Sequence, residues 1–240
     1  TIIIPAYNEK ESISIIVNQI NQRVKYSKQI IVVDDYSSDG TKDIIKNMQN
    51  IDKAIFHEKN KGKGAAIKSA IPFIKGEIIA IQDADLEYDP EDLNKLTKQI
   101  LDKKTNVVYG SRVLDKRRYG NNSFISNFRV LGNHVLTILS NLFNNQDLTD
   151  AHTCYKVFKK DVFLKLNLRE NDFAFCAEVN TKISLINEKI IELPISYKGR
   201  NVSEGKKIRF KDALRAFFTI IKYKYLKKWK KDLNFIKKIF

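Results

Sequence analysis

Short, continuously apolar runs alternate with helix-forming segments through the first half of the chain, and this alternation restricts the fold more than any other feature. The runs are TIII (1–4), QIIVVDD (29–35), AIFHE (54–58), EIIAI (77–81) and NVVYGSR (106–112). Strands without polar alternation are buried on both faces, and buried strands that alternate with helices are typical of a parallel sheet covered on each side. We therefore predict an α/β fold with a mostly parallel central sheet flanked by helices.

The segments between these runs carry helix signals. Apolar residues at helical spacing over 13–20 predict the first helix. Ser38 or Asp39 is predicted to cap the second. AAIKSAIPFI (65–74) predicts a helix that bends or ends near its proline, and PEDLNKLTKQIL (90–101) a helix with proline and acids in its first turn.

Positive charge is concentrated near the carboxyl terminus. Residues 205–240 hold 13 Lys or Arg against two Asp, a net +11 of the formal +15. A nucleic-acid-binding module would spread its basic residues over the fold with aromatic residues between them, so we expect no nucleic-acid partner.

Cysteine usage and hydropathy limit the setting of the protein. Cys154 and Cys176 have no CxxC spacing, which argues against a disulfide framework and a structural zinc site and favours a reducing, cytoplasmic compartment. No segment approaches the roughly 18 uninterrupted apolar residues of a spanning helix, so we expect none.

Polar clusters follow the predicted strands at the point where each strand ends. They are YNE (7–9), DDYSSDG (34–40), DADLE (83–87) and YGSR (109–112). Ligands of such sheets bind outside the carboxyl ends of the strands, so these clusters predict one cleft.

The acidic run QDADLEYD (82–89) suggests a cation in that cleft. In extended backbone Asp83 and Asp85 share a face, and two carboxylates on one face can hold a hard divalent cation with Glu87 as a third oxygen donor. The alternative is an acidic loop that precedes a helix, which accounts for Asp89 and the acids after it.

The order of the motifs indicates a family. PAYNE (5–9), VVDDYSSDGT (32–41), NKGKGAA (60–66) and DADLE (83–87) follow one another at spacings that resemble the family-2 inverting glycosyltransferases. The resemblance implies a GT-A fold, which is a Rossmann-like, mostly parallel sheet, and a nucleotide-sugar donor lying across the cleft.

Later segments resemble one branch of that family. GSR (110–112), TDAHTCYKVF (149–158), ELPISYKGR (192–200) and SEGKKI (203–208) are similar to the dolichyl- or polyprenyl-phosphate mannose and glucose synthases. The branch implies transfer of mannose or glucose from GDP-mannose or UDP-glucose to a polyprenyl phosphate, with inversion and with Mg²⁺ or Mn²⁺. The alternative is a family-2 enzyme that glycosylates a hydroxyl of a glycan or lipid-linked saccharide, which needs a base.

The resemblance also assigns the donor side of the cleft. Residues implied to contact the nucleotide sugar are Pro5, Tyr7, Glu9, Asp35, Asp83, Ala84 and Lys63. Residues implied to hold the metal are Asp83, Asp85 and Glu87. Two alternatives stay open: Asp34 buttresses the loop while Asp35 binds the nucleoside, and Lys61 and Lys63 are solvated lysines of a glycine-bearing turn.

The acceptor side needs cations for a phosphate. The resemblance implies that these are Arg112, Arg129, Arg200 and Lys206. Arginine suits the task because its planar fork binds two phosphate oxygens. Asp150 is either a base or the residue that orients Arg112 or Arg129, and the catalytic candidates are then Asp85, Arg112, Arg129 and Asp150.

We expect a catalytic domain over 1–212, divided into a donor half (1–112) and an acceptor half (113–212), and a basic amphipathic helical tail over 213–240. Apolar residues of the tail recur near helical spacing at 214, 218, 221, 225, 229, 233, 236 and 240. We expect the part up to Tyr225 to dock on the domain and the rest to contact an anionic membrane, which implies a peripheral protein on the cytoplasmic face.

Overall fold

The computed structural model describes residues 1–114, 124–199 and 210–226, with side chains for 1–114, 132–199 and 214–225. Seven strands in this part of the chain form one sheet in the order β3-β2-β1-β4-β6-β5-β7. The strands are β1 (Ile2–Ala6), β2 (Ile30–Asp34), β3 (Lys53–Phe56), β4 (Ile78–Ile81), β5 (Val107–Ser111), β6 (Lys156–Lys159) and β7 (Ile190–Pro194).

The mostly parallel sheet and its five predicted strands are confirmed. β1 pairs in parallel with β2 and β4, β2 with β3, and β5 with β7. β6 is the exception, because it lies between β4 and β5 and is antiparallel to both. β6 and β7 were not predicted as strands, and the insertion of β6 separates two strands that are consecutive in the chain.

Eight helices lie in the described part of the chain. They are α1 (Ile13–Arg23), α2 (Thr41–Asn47), α3 (Lys63–Ala70), α4 (Asp92–Leu101), α5 (Phe124–Asn144), α6 (Lys160–Lys165), α7 (Phe175–Leu185) and α8 (Phe210–Ile221). The helix end predicted near Pro72 is confirmed, since α3 stops at Ala70 and a 3₁₀ turn follows. The predicted cap of α2 is wrong: the N-cap residue is Gly40 at φ 98°, and Asp39 instead accepts hydrogen bonds from the backbone and hydroxyl of Thr41.

Both faces of the sheet are covered, which explains the continuous apolar runs. Ile3 of β1 packs into a cluster with α3 and α7, whereas Ile2 and Ile4 pack into a second cluster with α1 and α4. Each fully buried Ile contributes about 1.5–3 kcal/mol relative to exposure, so polar residues at these positions are disfavoured on either face.

A further helical layer lies outside α7. Ala177 of α7 packs with Ala216 and Ile220 of α8, and Leu136 and Phe143 of α5 pack against them. The predicted docking of the segment up to Tyr225 is therefore confirmed. In the portion of the chain that is described, none of the helices has both the length and the hydropathy needed to span a bilayer.

Candidate functional site

The loops after β1 and β2 bind each other at the carboxyl edge of the sheet. The backbone N–H of Asn8 donates to the Ser37 hydroxyl at 2.9 Å, and the Asn8 side chain accepts from the backbone of Ser38 at 2.9 Å. Glu9 is buried and its carboxylate accepts from the Ser12 hydroxyl at 2.7 Å. Tyr7 is half-buried in the same loop. The polar clusters predicted at these two strand ends do meet.

Asp35 ties the loop after β2 to the NKGKG loop. Its carboxylate accepts from the backbone N–H groups of Lys61 and Gly62 at 2.8 and 2.7 Å, and it lies 2.6 Å from His57 Nδ1. Only 4% of Asp35 is exposed. With three partners the Asp35 carboxylate has little hydrogen-bonding capacity left for a nucleoside. In this structure it connects two loops.

Asp34, considered above as a structural alternative, is fully buried at the end of β2. One carboxylate oxygen accepts from the backbone N–H of Ser37 at 3.2 Å. The other, Oδ1, has no hydrogen-bond partner among the described residues. Asp34 and Asp35 thus differ, because both oxygens of Asp35 have hydrogen-bond partners and only one oxygen of Asp34 has a described one.

The two glycines of NKGKG are required by close packing. A Cβ on Gly62, which has φ 95°, would lie 2.4 Å from the Asn171 carbonyl oxygen, and one on Gly64 would lie 2.5 Å from that of Glu170. Side chains at either position would push the loop before α7 away. These glycines therefore allow contact with residues 170–171.

Lys63 points inward between an acid and a thiol. Its ammonium is 2.5 Å from Asp83 Oδ1 and 2.7 Å from Cys154 Sγ, and its side chain is 11% exposed. Burial works to lower the pKa of Lys63, but the Asp83 carboxylate outweighs it and raises that pKa. Lys63 is therefore a charged partner of Asp83, in contrast to Lys61, which is exposed.

Asp85 has no ion-pair partner among the described residues. Burial first, then the neighbouring Asp83 and Glu87, raise the pKa of Asp85 to about 7. One of its oxygens accepts from the backbone N–H of Glu87 at 3.1 Å, and no described cation forms an ion pair with it. Glu87 accepts from the Tyr197 hydroxyl at 2.8 Å.

The acid loop fits a divalent cation in charge and donor chemistry but is not arranged around one. Within the described residues no three metal-ligating side chains converge, and Asp83 is held by Lys63. Oxygen donors and the raised pKa of Asp85 are what a hard cation would exploit. Asp85 and Glu87 are the side chains that would hold the cation. Asp83 would join them only if its ion pair with Lys63 were broken.

Arg112 follows β5 and is clamped by Asp150. Arg112 Nε and Nη2 donate to the two Asp150 oxygens, each at 2.7 Å, and its backbone N–H donates to the same carboxylate at 3.1 Å. Nη1 makes no hydrogen bond to any described residue. The geometry favours the orienting role among the alternatives for Asp150.

A supporting acid positions Asp150 in turn. Glu192 on β7 accepts from the backbone N–H groups of Thr149 and Asp150 at 2.6 and 3.0 Å. Burial works to raise the pKa of Asp150, but Arg112 outweighs it and holds that pKa below its usual value. A carboxylate in this state is a weak base.

Tyr197 joins the acid loop to Arg112. Arg112 Cζ lies 5.1 Å from the centre of the Tyr197 ring. That ring packs against Tyr88 at an angle of 60°, with 5.2 Å between the ring centres. The Tyr197 hydroxyl binds Glu87. One side chain therefore contacts both the acid loop and Arg112.

Sequence reasoning missed Tyr197, Cys154 and Glu192. All three stand in segments quoted for the resemblance, but their partners are distant in the chain: Glu87 is 110 residues from Tyr197 and Lys63 is 91 from Cys154. No local pattern reports such pairs. Arg200 and Lys206 lie outside the described residues, and α5 includes Arg129 without a described side chain.

Comparison with known proteins decides the family. A model of glycosyl transferase family 2 matches residues 1–166. The chain belongs to glycosyl transferase family 2. The GT-A fold expected from the motifs is confirmed with it.

Relatives of this family member carry informative names. It is 29% identical to a UDP-N-acetylglucosamine–dolichyl-phosphate N-acetylglucosaminyltransferase of Methanococcus voltae, over 88% of this chain and 93% of the relative. It is 26% identical to a dolichyl-phosphate beta-glucosyltransferase of Trichomonas vaginalis, over 92% and 72%.

A solved structure shares the fold. Glucosyl-3-phosphoglycerate synthase from Mycobacterium tuberculosis, in complex with Mg²⁺ and UDP, superimposes with a TM-score of 0.69 at 15% identity, over 93% of this chain and 78% of that one. A second structure of that enzyme contains Mn²⁺, UDP and glucosyl-3-phosphoglycerate. At this identity the likeness extends to the fold alone.

We expect the charge of Asp85 to destabilise the cation-free protein above neutral pH. Its folded-state pKa of about 7 exceeds the usual aspartate value of 3.8, so the folded state binds more protons between these values and stability falls as pH rises through them. Asp85→Asn should therefore raise the free energy of unfolding at pH 8 by roughly 2 kcal/mol, half of the full linkage value because solvent screens part of the charge. Urea unfolding in chelator at pH 8 and pH 5 measures this, and the gain should shrink by more than half at pH 5.

Two comparisons sharpen that test. Asp83→Asn should destabilise at pH 8, since it leaves the buried Lys63 ammonium without its carboxylate. Mg²⁺ or Mn²⁺ should raise the melting temperature of the unmodified protein more at pH 8 than at pH 5 and have little effect on Asp85→Asn. Equal stabilisation at both pH values would contradict a cation at Asp85.

We expect Tyr197 and Glu87 to be energetically coupled. The 2.8 Å hydrogen bond to a charged, half-buried acceptor should appear as a coupling of about 1–2 kcal/mol in a double-mutant cycle of Tyr197→Phe and Glu87→Ala, read by urea unfolding. Asp89→Asn is the matched control, because this acid of the same loop pairs with Arg23. Coupling below about 0.3 kcal/mol, or equal coupling to Asp89, would show that the bond does not link the two loops.

Proposed function

We propose that this family member is an inverting glycosyltransferase that moves a hexose from a nucleotide sugar to a polyprenyl phosphate. The observation that carries the proposal is Arg112, whose orientation Asp150 sets and whose Nη1 has no described partner. An oriented guanidinium beside the acid loop suits an anionic acceptor. Both named relatives act on dolichyl phosphate, which supports the same acceptor class.

The donor occupies the edge formed by the loops after β1, β2 and β4. Tyr7 and Glu9 face the nucleoside, with Pro5 and Asp35 shaping that end and Asp83 and Ala84 lining the ribose and diphosphate end. The candidate sugars are mannose and glucose; the relatives' names, glucosyl and N-acetylglucosaminyl, favour a UDP-linked sugar over GDP-mannose.

Asp85 and Glu87 hold a divalent cation, Mg²⁺ or Mn²⁺, in this proposal. When bound, the cation stabilises the negative charge that develops on the departing diphosphate. Lys63 takes part from the protein side: its ammonium lies beside Asp83, so the same group that neutralises Asp83 places positive charge at the edge of the diphosphate position.

Arg112 holds the acceptor phosphate by the N–H groups that Asp150 does not accept from. A phosphate monoester is already anionic, so its oxygen attacks the anomeric carbon without giving a proton to the protein. Direct displacement from an α-linked donor gives a β-linked product. Asp150 positions Arg112, and Arg129, Arg200 and Lys206 add positive charge to the acceptor side in the proposal.

The low basicity of Asp150 favours phosphate over a hydroxyl acceptor. A hydroxyl must lose a proton to a base, and Arg112 holds the pKa of Asp150 below its usual value. One observation supports the second candidate, a family-2 enzyme that glycosylates a saccharide hydroxyl: the pKa of Asp85 is raised to about 7, which suits a general base. A metal at Asp85 would remove that basicity.

The membrane partner belongs to the same proposal. A polyprenyl chain resides in a bilayer, and residues 205–240 carry a net +11 that attracts anionic lipid. We propose a peripheral protein on the cytoplasmic face of a membrane, with the tail from residue 213 as its basic contact. The tail beyond residue 226 lies outside the described residues.

A donor and acceptor screen tests the function. The protein is incubated with Mg²⁺ or Mn²⁺, with UDP-glucose, UDP-N-acetylglucosamine or GDP-mannose, and with a polyprenyl phosphate, and released nucleotide is measured. We expect release only when the lipid phosphate is present. Release that instead depends on a saccharide or lipid-linked saccharide without free phosphate would favour the second candidate.

Arg112→Lys tests the acceptor role. Lysine keeps the charge but loses the fork, so we expect the acceptor KM to rise about 10- to 100-fold, as for a lost hydrogen bond to a charged group, with the donor KM within about threefold. Arg23→Ala, which removes an exposed arginine that pairs with Asp89 and Glu91, is the control and should change neither constant. An equal rise in both KM values for Arg112→Lys would assign Arg112 to the structure of the cleft.

A further inference from the structure

Helix α8 presents an apolar stripe to the outside of the protein. Leu214 and Phe218 are 46% and 62% exposed, and Ile221 one turn further is half-buried. Their spacing of four and three residues places all three on one side of the helix. Scattered exposed apolar residues are ordinary, but a continuous helical stripe is a candidate interaction surface.

The stripe is separate from the face by which α8 docks. Ala216 and Ile220 are 3% and 0% exposed and pack with Ala177 of α7, next to residues of α5. The helix is thus apolar on two opposite sides. A helix that only covered the domain would carry polar residues outward.

The charges beside the stripe and in the sequence after it indicate which kind of partner the stripe binds. Arg215 and Lys222 beside it are paired with Asp172 and Glu170, while Lys224 has no ion-pair partner among the described residues. In the sequence after Leu226 there are six lysines and one aspartate, and apolar residues recur at 229, 233, 236 and 240, continuing the same spacing. Apolar residues bordered by cations suit the interface of an anionic bilayer.

We propose that the outward stripe of α8 (Leu214, Phe218 and Ile221) docks on an anionic lipid bilayer. This docking proposal rests on the proposed function, because that function needs access to a polyprenyl chain in a bilayer. A second copy of the chain is the weaker occupant, because two copies meeting there would bring two strongly basic segments together, and residues 205–240 alone carry a net +11.

Contacts of α8 connect this surface to the candidate site. Glu170 accepts hydrogen bonds from Lys222 and from the Tyr223 hydroxyl, at 2.7 and 2.8 Å. The carbonyl of the neighbouring Asn171 accepts from the backbone of Ala65 at 3.0 Å, in the helix that begins with Lys63. A bilayer bound at α8 would therefore lie at a set position relative to the cleft.

Vesicle binding of the full chain tests the proposal. The double variant Leu214→Gln, Phe218→Gln is compared with the unmodified protein by co-sedimentation with phosphatidylcholine vesicles that contain or lack phosphatidylglycerol. We expect the unmodified protein to bind the anionic vesicles more strongly than the neutral ones, and the double variant to bind anionic vesicles at least about tenfold more weakly.

A matched control variant separates the stripe from general surface hydrophobicity. Ile15 on α1 and Leu101 on α4 are 46% and 51% exposed and lie on helices of the other sheet face. Ile15→Gln, Leu101→Gln should bind vesicles as the unmodified protein does. Circular dichroism and melting temperature confirm that both double variants fold.

Three outcomes would overturn the proposal. Unchanged vesicle binding by Leu214→Gln, Phe218→Gln would assign lipid contact to the residues after Leu226. Equally weakened vesicle binding by the control variant would show that any exposed apolar residues have the same effect as the stripe. A dimer in light scattering that the stripe variant converts to a monomer would make a second copy the occupant.

The test stands apart from the test of function. Vesicle binding is measured without donor or acceptor, so a failed donor screen leaves it interpretable. Conversely, if the proposed function holds, the stripe variant should keep its rate with a short-chain prenyl phosphate in solution and lose rate only with a long-chain acceptor embedded in vesicles. Equal loss on both acceptors would contradict a docking role.

Discussion

The candidate site depends on how buried negative charge at the end of β4 is balanced. Three carboxylates, Asp83, Asp85 and Glu87, stand within five residues, and each is partly removed from water. Lys63 neutralises Asp83 at 2.5 Å and Tyr197 binds Glu87, but Asp85 keeps a pKa of about 7 because burial and its neighbours oppose its ionisation. Unbalanced negative charge that is partly removed from water is where a cation or a cationic ligand group is stabilised most.

At Arg112, by contrast, the charges are balanced within the protein. Arg112 and Asp150 form a buried two-pronged pair, and Glu192 fixes the backbone that carries Asp150. Breaking such a pair is costly because it leaves one charge alone in a poorly solvated place. The arginine is therefore held in one orientation, and its Nη1 makes no hydrogen bond to a described residue.

Family membership and function are distinct levels of conclusion here. The match over residues 1–166 and the seven-stranded sheet establish glycosyl transferase family 2 and its fold. Sugar, nucleobase and acceptor depend on a few contacts that differ among members of one fold. Tyr197, which contacts both Glu87 and Arg112, links the acid loop to the Arg112–Asp150 pair in this chain.

Local patterns in the sequence determined the first five strands, the helix end near Pro72 and the gathering of polar motifs at one sheet edge, because periodicity and strand ends are properties of neighbouring residues. Tertiary structure alone decided the rest. It placed β6 antiparallel between β4 and β5, paired Lys63 with Asp83 across 20 residues, and paired Arg112 with Asp150 across 38. It also chose which side of α8 to bury, since that helix is apolar on two sides and the face with Ala216 and Ile220 fits against α7. Such choices depend on shape and charge between segments far apart in the chain, which no window of sequence contains.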